Sequence, residues 1–249
     1  MIKINKPNTI PNILVKNELN WTNELLNEIK NHGSFSELPD STKKEIAARY
    51  KHPEIKDLLI PTEDTKCAFC ESFPNESGFV EVEHFLPKSI YPDKAYSWEN
   101  LLPSCKRCNL QKLSLDTGIF PIVKPDIDNP EDYFTYDNIK MVVKVDSLDE
   151  EKAARTIDRL KLNQHRLIKP RSELLVSLVT FESDLEDALK KLSTSVRISK
   201  KSRIKSNILE SLDQIDELKK KNSKFSGFCR NYINNSEIII RAKKIANEI

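Results

Sequence analysis

Three stretches of the 249-residue sequence decide the fold: CAFC at 67–70, FVEVEHFLPKS at 79–89 and WENLLPSCKRCNLQK at 98–112. The first and third stretches contain two Cys-x-x-Cys pairs separated by 34 residues. Four thiolates in two such pairs fit one tetrahedral zinc ion with bonds of about 2.3 Å. Because they fill every coordination position, we predict a structural zinc, with a redox or unliganded role as the alternative. The predicted ligands are Cys67, Cys70, Cys105 and Cys108.

Composition excludes several classes of protein. The 40 Lys and Arg residues nearly balance the 38 Asp and Glu residues, which gives a formal net charge of +2. No run approaches the ~18 consecutive apolar residues that a membrane helix needs, and the first residues lack the pattern of a secretory signal. The sequence has four glycines and neither common phosphate-loop motif. We therefore expect a cytoplasmic protein without membrane contact, in which the cysteines stay reduced.

Patterning divides the chain into three regions. Residues 1–60 are predicted to form a helical segment, residues 61–125 a loop-rich, zinc-bound module, and residues 126–249 a β-hairpin followed by helices. Apolar stripes at 174–192 and 204–218 predict an antiparallel helix pair. The predicted fold class is mainly α, with a smaller β contribution (α+β). The buried face expected for the first helix contains Leu19, Thr22, Leu25, Leu26 and Ile29.

The polar residues between and after the cysteine pairs follow a characteristic spacing. Fifteen residues separate His84 from Asn100, and eight more separate Asn100 from Asn109. This pattern resembles the HNH nuclease family, with asparagine in place of the final histidine. The resemblance implies the ββα-metal fold, in which two strands, the first ending at the base histidine, precede a helix that carries the last metal ligand. The cysteine pairs match the variant in which a four-cysteine zinc holds that motif together.

Each of these residue types suits a step of phosphodiester hydrolysis, which needs a base for water and positive charge where oxyanions develop. We predict His84 as the general base, because a neutral imidazole accepts protons near neutral pH. Glu83 and Asn109 would bind a divalent cation. Lys112, on the same helical face as Asn109, would hold a substrate phosphate. The resemblance gives Asn100 a structural role, in which its hydrogen bonds tie the loop that holds the histidine.

The predicted ligands also constrain the catalytic metal. One carboxylate and one amide oxygen are hard donors, which favour Mg²⁺ or Mn²⁺. Taken singly, each residue has an ordinary structural interpretation, since His84 can form a surface ion pair, Asn109 can cap a helix and Lys112 can be solvated. Their combination inside the four-cysteine frame favours a nuclease with a closed zinc site and an open Mg²⁺ or Mn²⁺ site.

A narrower resemblance covers residues 1–170, through the stretches 51–71, 83–112, 119–137 and 154–171. There the chain is similar to the HNH proteins called PtuB, which are encoded beside an ATPase in Septu antiphage systems and related retrons. The resemblance implies a nuclease partnered by a PtuA-like ABC- or SMC-type ATPase, and in retrons by a reverse transcriptase and its msDNA. DNA is the favoured substrate, and RNA such as tRNA stays open. Two alternatives remain, a zinc-bound nucleic-acid- or protein-binding adaptor that does not cut and a structural adaptor for the ATPase.

Two basic groups lie outside the predicted module. Residues 190–209 contain seven cations and no acidic residue, which is typical either of a solvated helix connection or of a surface that follows a nucleic-acid backbone. The seven are Lys190, Lys191, Arg197, Lys200, Lys201, Arg203 and Lys205. A second group, His165 with Arg166 and Arg171, is a weaker candidate for contact with phosphate.

Overall fold

The computed structural model of the chain describes residues 1–61, 65–73 and 79–247. Helices predominate, which confirms the predicted mainly α class. The helices are α1 (Asn12–His32), α2 (Asp40–Glu45), α3 (Pro53–Leu59), α4 (Lys106–Lys112), α5 (Glu150–Arg159), α6 (His165–Thr194), α7 (Ile198–Glu217), α8 (Ser226–Asn235) and α9 (Glu237–Asn247). The strands are β1 (Val80–His84), β2 (Leu101–Cys105), β3 (Phe134–Asp137) and β4 (Lys140–Val143).

The central element is a ββα unit made by β1, β2 and α4. The two strands are antiparallel, with Val80 opposite Cys105 and His84 opposite Leu101. Helix α4 begins at the residue after β2, and the Cys105 sulfur accepts a hydrogen bond from the Cys108 backbone N–H at 3.4 Å, which caps the helix. The alternating VEVEH pattern therefore ends at the predicted base histidine, as the resemblance implied.

The N-terminal helices cover one face of this unit. Helix α1 packs against α3 and against the 3₁₀ turn Pro92–Lys94 in the loop between β1 and β2. Its buried residues are Leu14 and Leu25, whereas Leu19 is 73% exposed. The predicted apolar face is wrong at Leu19 and at Leu26, which is 37% exposed, because α1 touches the core only along a narrow stripe and leaves the rest of its surface to solvent.

The C-terminal half packs against Cys67, Cys70, Cys105 and Cys108, with which it shares one apolar core. The predicted β-hairpin is present as β3 and β4, and the predicted antiparallel helix pair is present as α6 and α7. Helix α9 packs against both of these helices, so that three helices share one apolar core. Within the described residues, no helix combines the length and the apolar character needed to cross a bilayer.

Candidate active site and metal centre

The four predicted zinc ligands converge on one point. All four cysteines are buried, and their sulfur atoms lie within 4.8 Å of one another. The Cys70 and Cys105 sulfurs are 3.9 Å apart, close to the separation of about 3.8 Å that tetrahedral zinc with bonds of about 2.3 Å requires. A hydrogen bond from the Ala68 N–H to the Pro103 carbonyl, at 2.9 Å, joins the first cysteine turn to β2. The donors therefore fit a metal ion, and four sulfur ligands are consistent with zinc.

An arginine from a distant helix completes the surroundings of the cysteine cluster. The Arg166 guanidinium, in the first turn of α6, lies 3.9 Å from the Cys70 sulfur and 3.6 Å from the Cys108 sulfur. Zinc with four thiolates carries a net charge of −2, which the half-buried guanidinium beside it offsets in part. Arg171 is fully buried and donates to the Leu162 carbonyl at 3.0 Å. Neither arginine is free for the phosphate contact that the sequence suggested.

A cleft of about 240 Å³ lies beside the ββα unit and brings the candidate catalytic residues together. Its lining includes Glu83 and His84 from the end of β1, and Asn109 and Lys112 from α4. The pleat of β1 places Glu81 and Glu83 on the same face of the strand. The Asn109 amide nitrogen lies 3.3 Å from a Glu81 carboxylate oxygen. If Nδ2 donates there, the amide oxygen is the Asn109 atom left for a cation.

Lys112 is part of a buried ion pair in this structure. Its Nζ lies 2.9 Å from Oε1 of Glu83, and both side chains are almost completely buried. Burial raises the pKa of the Glu83 carboxyl, and the neighbouring Lys112 opposes that shift. The predicted role of Lys112 as a phosphate ligand is at odds with this placement, because its charge is already neutralised by the carboxylate that was predicted to bind the metal.

His84 is held in a defined orientation at the end of β1. Its Nε2 is 2.8 Å from the Ala95 carbonyl oxygen, which can only accept a hydrogen bond. Nε2 therefore carries the proton, and Nδ1 is the nitrogen with a free lone pair. Burial, followed by the positive charge of Lys88, lowers the pKa of His84 to about 3. The imidazole is accordingly neutral near pH 7, which is the form that can accept a proton.

Asn100 fastens the loop that carries the Ala95 carbonyl. Its Oδ1 accepts from the Leu86 N–H at 2.7 Å, and its Nδ2 donates to the Leu86 and Lys94 carbonyls at 3.0 Å each. The Asn100 carbonyl also accepts from the Phe85 N–H at 2.8 Å. The Asn100 side chain thus joins Leu86, at the start of the loop just after His84, to Lys94, the residue before Ala95.

Two residues of the cleft were not singled out by the sequence as site residues. The Tyr50 ring packs edge-on against the His84 ring, with centroids 4.4 Å apart. Lys88 places its Nζ 4.2 Å from the Tyr50 ring centroid and 3.2 Å from the Ala47 carbonyl. Burial, followed by the charge of Lys51, lowers the pKa of Lys88 to about 8. No local pattern pointed to Tyr50, because it lies far from His84 along the chain. Lys88 lies only four residues after His84, so that its closeness to the histidine in the sequence was the one available signal.

Comparisons with known proteins agree with this geometry. Residues 67–114 match the family model for HNH endonucleases, a range that includes both cysteine pairs, β1, β2 and α4. The chain is 33% identical over 248 residues to the Septu protein PtuB of Bacillus thuringiensis, a match that covers 98% of this chain and 86% of that protein. The chain belongs to the PtuB family. A PtuB of Bacillus mycoides (strain KBAB4) is 25% identical over 202 residues, which is 68% of this chain and 67% of that relative.

The PtuB similarity extends further than the sequence motifs did. The motifs covered residues 1–170, whereas a match over 98% of the chain also includes most of α6 and the helices that follow it. The similarity therefore includes the HNH module together with the helical C-terminal region. The four clustered cysteines and the ββα unit place an HNH domain near the middle of the chain.

Proposed function

We propose that this PtuB-family chain is a metal-dependent endonuclease that hydrolyses phosphodiester bonds of nucleic acid, with DNA the favoured substrate and RNA such as tRNA the other candidate. The observation that carries the proposal is the cleft, where a neutral histidine, a carboxylate and an amide converge on a ββα unit beside the cysteine cluster. A water molecule, a scissile phosphate and a divalent cation are the groups that such a set of side chains serves.

His84 supplies the base. Its unprotonated Nδ1 takes a proton from the attacking water, while the Ala95 carbonyl and the Tyr50 ring keep the imidazole in place. The water oxygen bonds to phosphorus, the bond to the 3′ oxygen breaks, and the leaving oxygen takes a proton from solvent. The products carry a 5′-phosphate and a 3′-hydroxyl. Because the nucleophile is water, the site can cut either DNA or RNA.

Positive charge for the phosphate comes from Lys88 rather than Lys112. Lys88 lines the cleft without a carboxylate partner among the described residues, whereas Lys112 is paired with Glu83. Glu83 and Asn109 would hold Mg²⁺ or Mn²⁺, which supplies Lewis-acid stabilisation of a phosphate oxygen when bound. Because Lys112 already neutralises the single carboxylate, we expect the free cation to bind weakly and the substrate phosphate to strengthen its binding.

The biological setting is proposed from the PtuB relationship. On this proposal, the chain acts as the nuclease of an antiphage complex with a PtuA-like ABC- or SMC-type ATPase. Retron-encoded reverse transcriptase and msDNA are further candidate partners. The buried pair of Glu83 and Lys112 is the observation that favours the alternative, a zinc-bound adaptor that binds nucleic acid or the ATPase without cutting.

One assay separates these functions. The protein with its PtuA-like ATPase is incubated with supercoiled DNA or bulk tRNA in Mg²⁺ or Mn²⁺, beside His84→Ala and the control His32→Ala, an exposed histidine of α1. We expect cleavage by the wild type and the control, 5′-phosphate ends, and none by His84→Ala. A 2′,3′-cyclic phosphate on cleaved RNA would refute the water mechanism. Equal cleavage by His84→Ala would refute the base assignment, and no cleavage by any protein would favour the adaptor.

A further inference from the structure

The seven cations of residues 190–209 lie at the tip of the α6–α7 helix pair. Leu189 on α6 and Ile208 on α7 are the buried residues that bracket this tip, and none of residues 190–207, all of which the structure describes, is buried. Helix α6 ends at Thr194 and α7 begins at Ile198, so that only three residues make the turn. We refer to residues 190–207 as the basic tip.

Six of the seven cations of the basic tip form no ion pair among the described residues. Lys190 pairs with Glu186 and Asp187 on its own helix. The other six cations have no carboxylate within ion-pair distance in the described part of the chain. Such a cluster with no compensating acid repels itself, and a polyanion placed against it relieves that repulsion. The nucleic-acid backbone, with one negative charge per ~1.7 Å of duplex, is the polyanion whose charge density fits best.

Helix α6, which contains Pro170 near its start, runs from the cysteine cluster to this tip. Arg166, in the first turn of α6, contacts two of the zinc-binding cysteines, and the helix is continuous from there to Thr194. At about 1.5 Å per residue, the tip lies about 40 Å along the helix from the cysteine cluster. That distance corresponds to about 12 base pairs of duplex at ~3.4 Å per pair.

We infer that the basic tip is a second nucleic-acid contact, which binds the sugar–phosphate backbone of the substrate outside the cleft. The inference rests on the proposed function, because that function identifies the bound polymer as nucleic acid. The exposed side chains of Val196 (92%) and Ile198 (85%) flank Arg197, and they give the tip apolar surface that sugar rings can cover. The same apolar surface also suits a protein partner, which the experiment must separate from nucleic acid.

The test measures binding without cleavage, in the full-length His84→Ala protein. The tip variant carries Arg197→Gln, Lys200→Gln, Lys201→Gln and Arg203→Gln. A matched control with the same loss of charge replaces exposed, scattered lysines by glutamine, at Lys16, Lys30, Lys140 and Lys169. A milder variant, Lys200→Gln with Lys201→Gln, is measured as well, so that the test can still be made if the quadruple variant has a much lower Tm. The dissociation constant for a labelled duplex of ~30 base pairs is measured over a series of KCl concentrations.

Each phosphate contact contributes about 0.9 to the slope of log K against log salt, so that the tip variant is expected to lose up to about 3.6 of that slope and the milder variant about half as much. The control should keep the parental slope.

Two results would overturn the inference. One is a tip-variant slope equal to that of the control. The other is an unchanged slope together with loss of binding to the PtuA-like ATPase, which would make the tip a protein-docking surface. The proposed nuclease function and the proposed contact at the basic tip fail separately. A protein that does not cleave can still bind nucleic acid through the tip, and an active nuclease can bind it without the tip.

Discussion

Asn100→Ala is the substitution that best tests how the candidate base is held. The change removes three side-chain hydrogen bonds, one from the Leu86 N–H and two to the carbonyls of Leu86 and Lys94. Each such bond contributes about 1 kcal/mol net, so we expect a loss of about 3 kcal/mol in the free energy of unfolding. In a chain of this size, 1 kcal/mol shifts Tm by about 2–4 °C, which predicts a Tm lower by about 6–12 °C.

The assay compares Asn100→Ala with Asn17→Ala, in which the lost side chain donates to the Ile13 carbonyl of its own helix. Denaturant unfolding, zinc content and cleavage are measured on both. We expect Asn100→Ala to keep zinc in the folded protein but to lose most cleavage, because the loop that positions the Ala95 carbonyl against His84 loosens. A loss below about 1 kcal/mol, or cleavage at the wild-type rate, would refute the role assigned to Asn100.

Two further predictions concern the zinc and the phosphate. Cys105→Ala should abolish zinc binding and unfold the module, because a structural zinc contributes about 10–16 kcal/mol, whereas the control Cys229→Ala, a buried cysteine outside the cluster, should keep one zinc per chain by elemental analysis. Lys88→Met should lower kcat by about 10²–10³-fold if its charge meets the developing oxyanion. The exposed Lys94→Met should change kcat little, and equal kcat values for the two variants would remove Lys88 from the site.

The zinc cluster and the ββα unit were predictable because their determinants are local. Each cysteine pair fixes a short turn, and two such pairs can share one tetrahedral ion. The alternation of VEVEH places its side chains on opposite faces of a strand, and the strand ends at His84 as expected. The same alternation contained the signal for Glu81, which shares the face of Glu83 and meets Asn109.

The state of Lys112 was not predictable from its spacing. Helical periodicity correctly placed it on the face of Asn109, but periodicity says nothing about which partner a long side chain reaches. Desolvating a lone lysine in a closed cleft is costly, and the nearest carboxylate, Glu83, compensates for that cost in the structure. The exposed part of the α1 apolar face has a similar cause. The apolar pattern exists in the sequence, but only part of it meets another element of the fold.

The chemistry of the candidate site depends on parts of the chain outside residues 61–125. Tyr50 brings a ring from the N-terminal segment against His84, and Arg166 brings a charge from the C-terminal helices against Cys70 and Cys108. The imidazole would lose one wall of its pocket without the first, and the thiolates would lose a neighbouring cation without the second. A ββα motif alone would therefore form only part of the proposed nuclease site. That dependence gives a physical reason for similarity to a PtuB that extends over 98% of the chain rather than over the HNH residues alone.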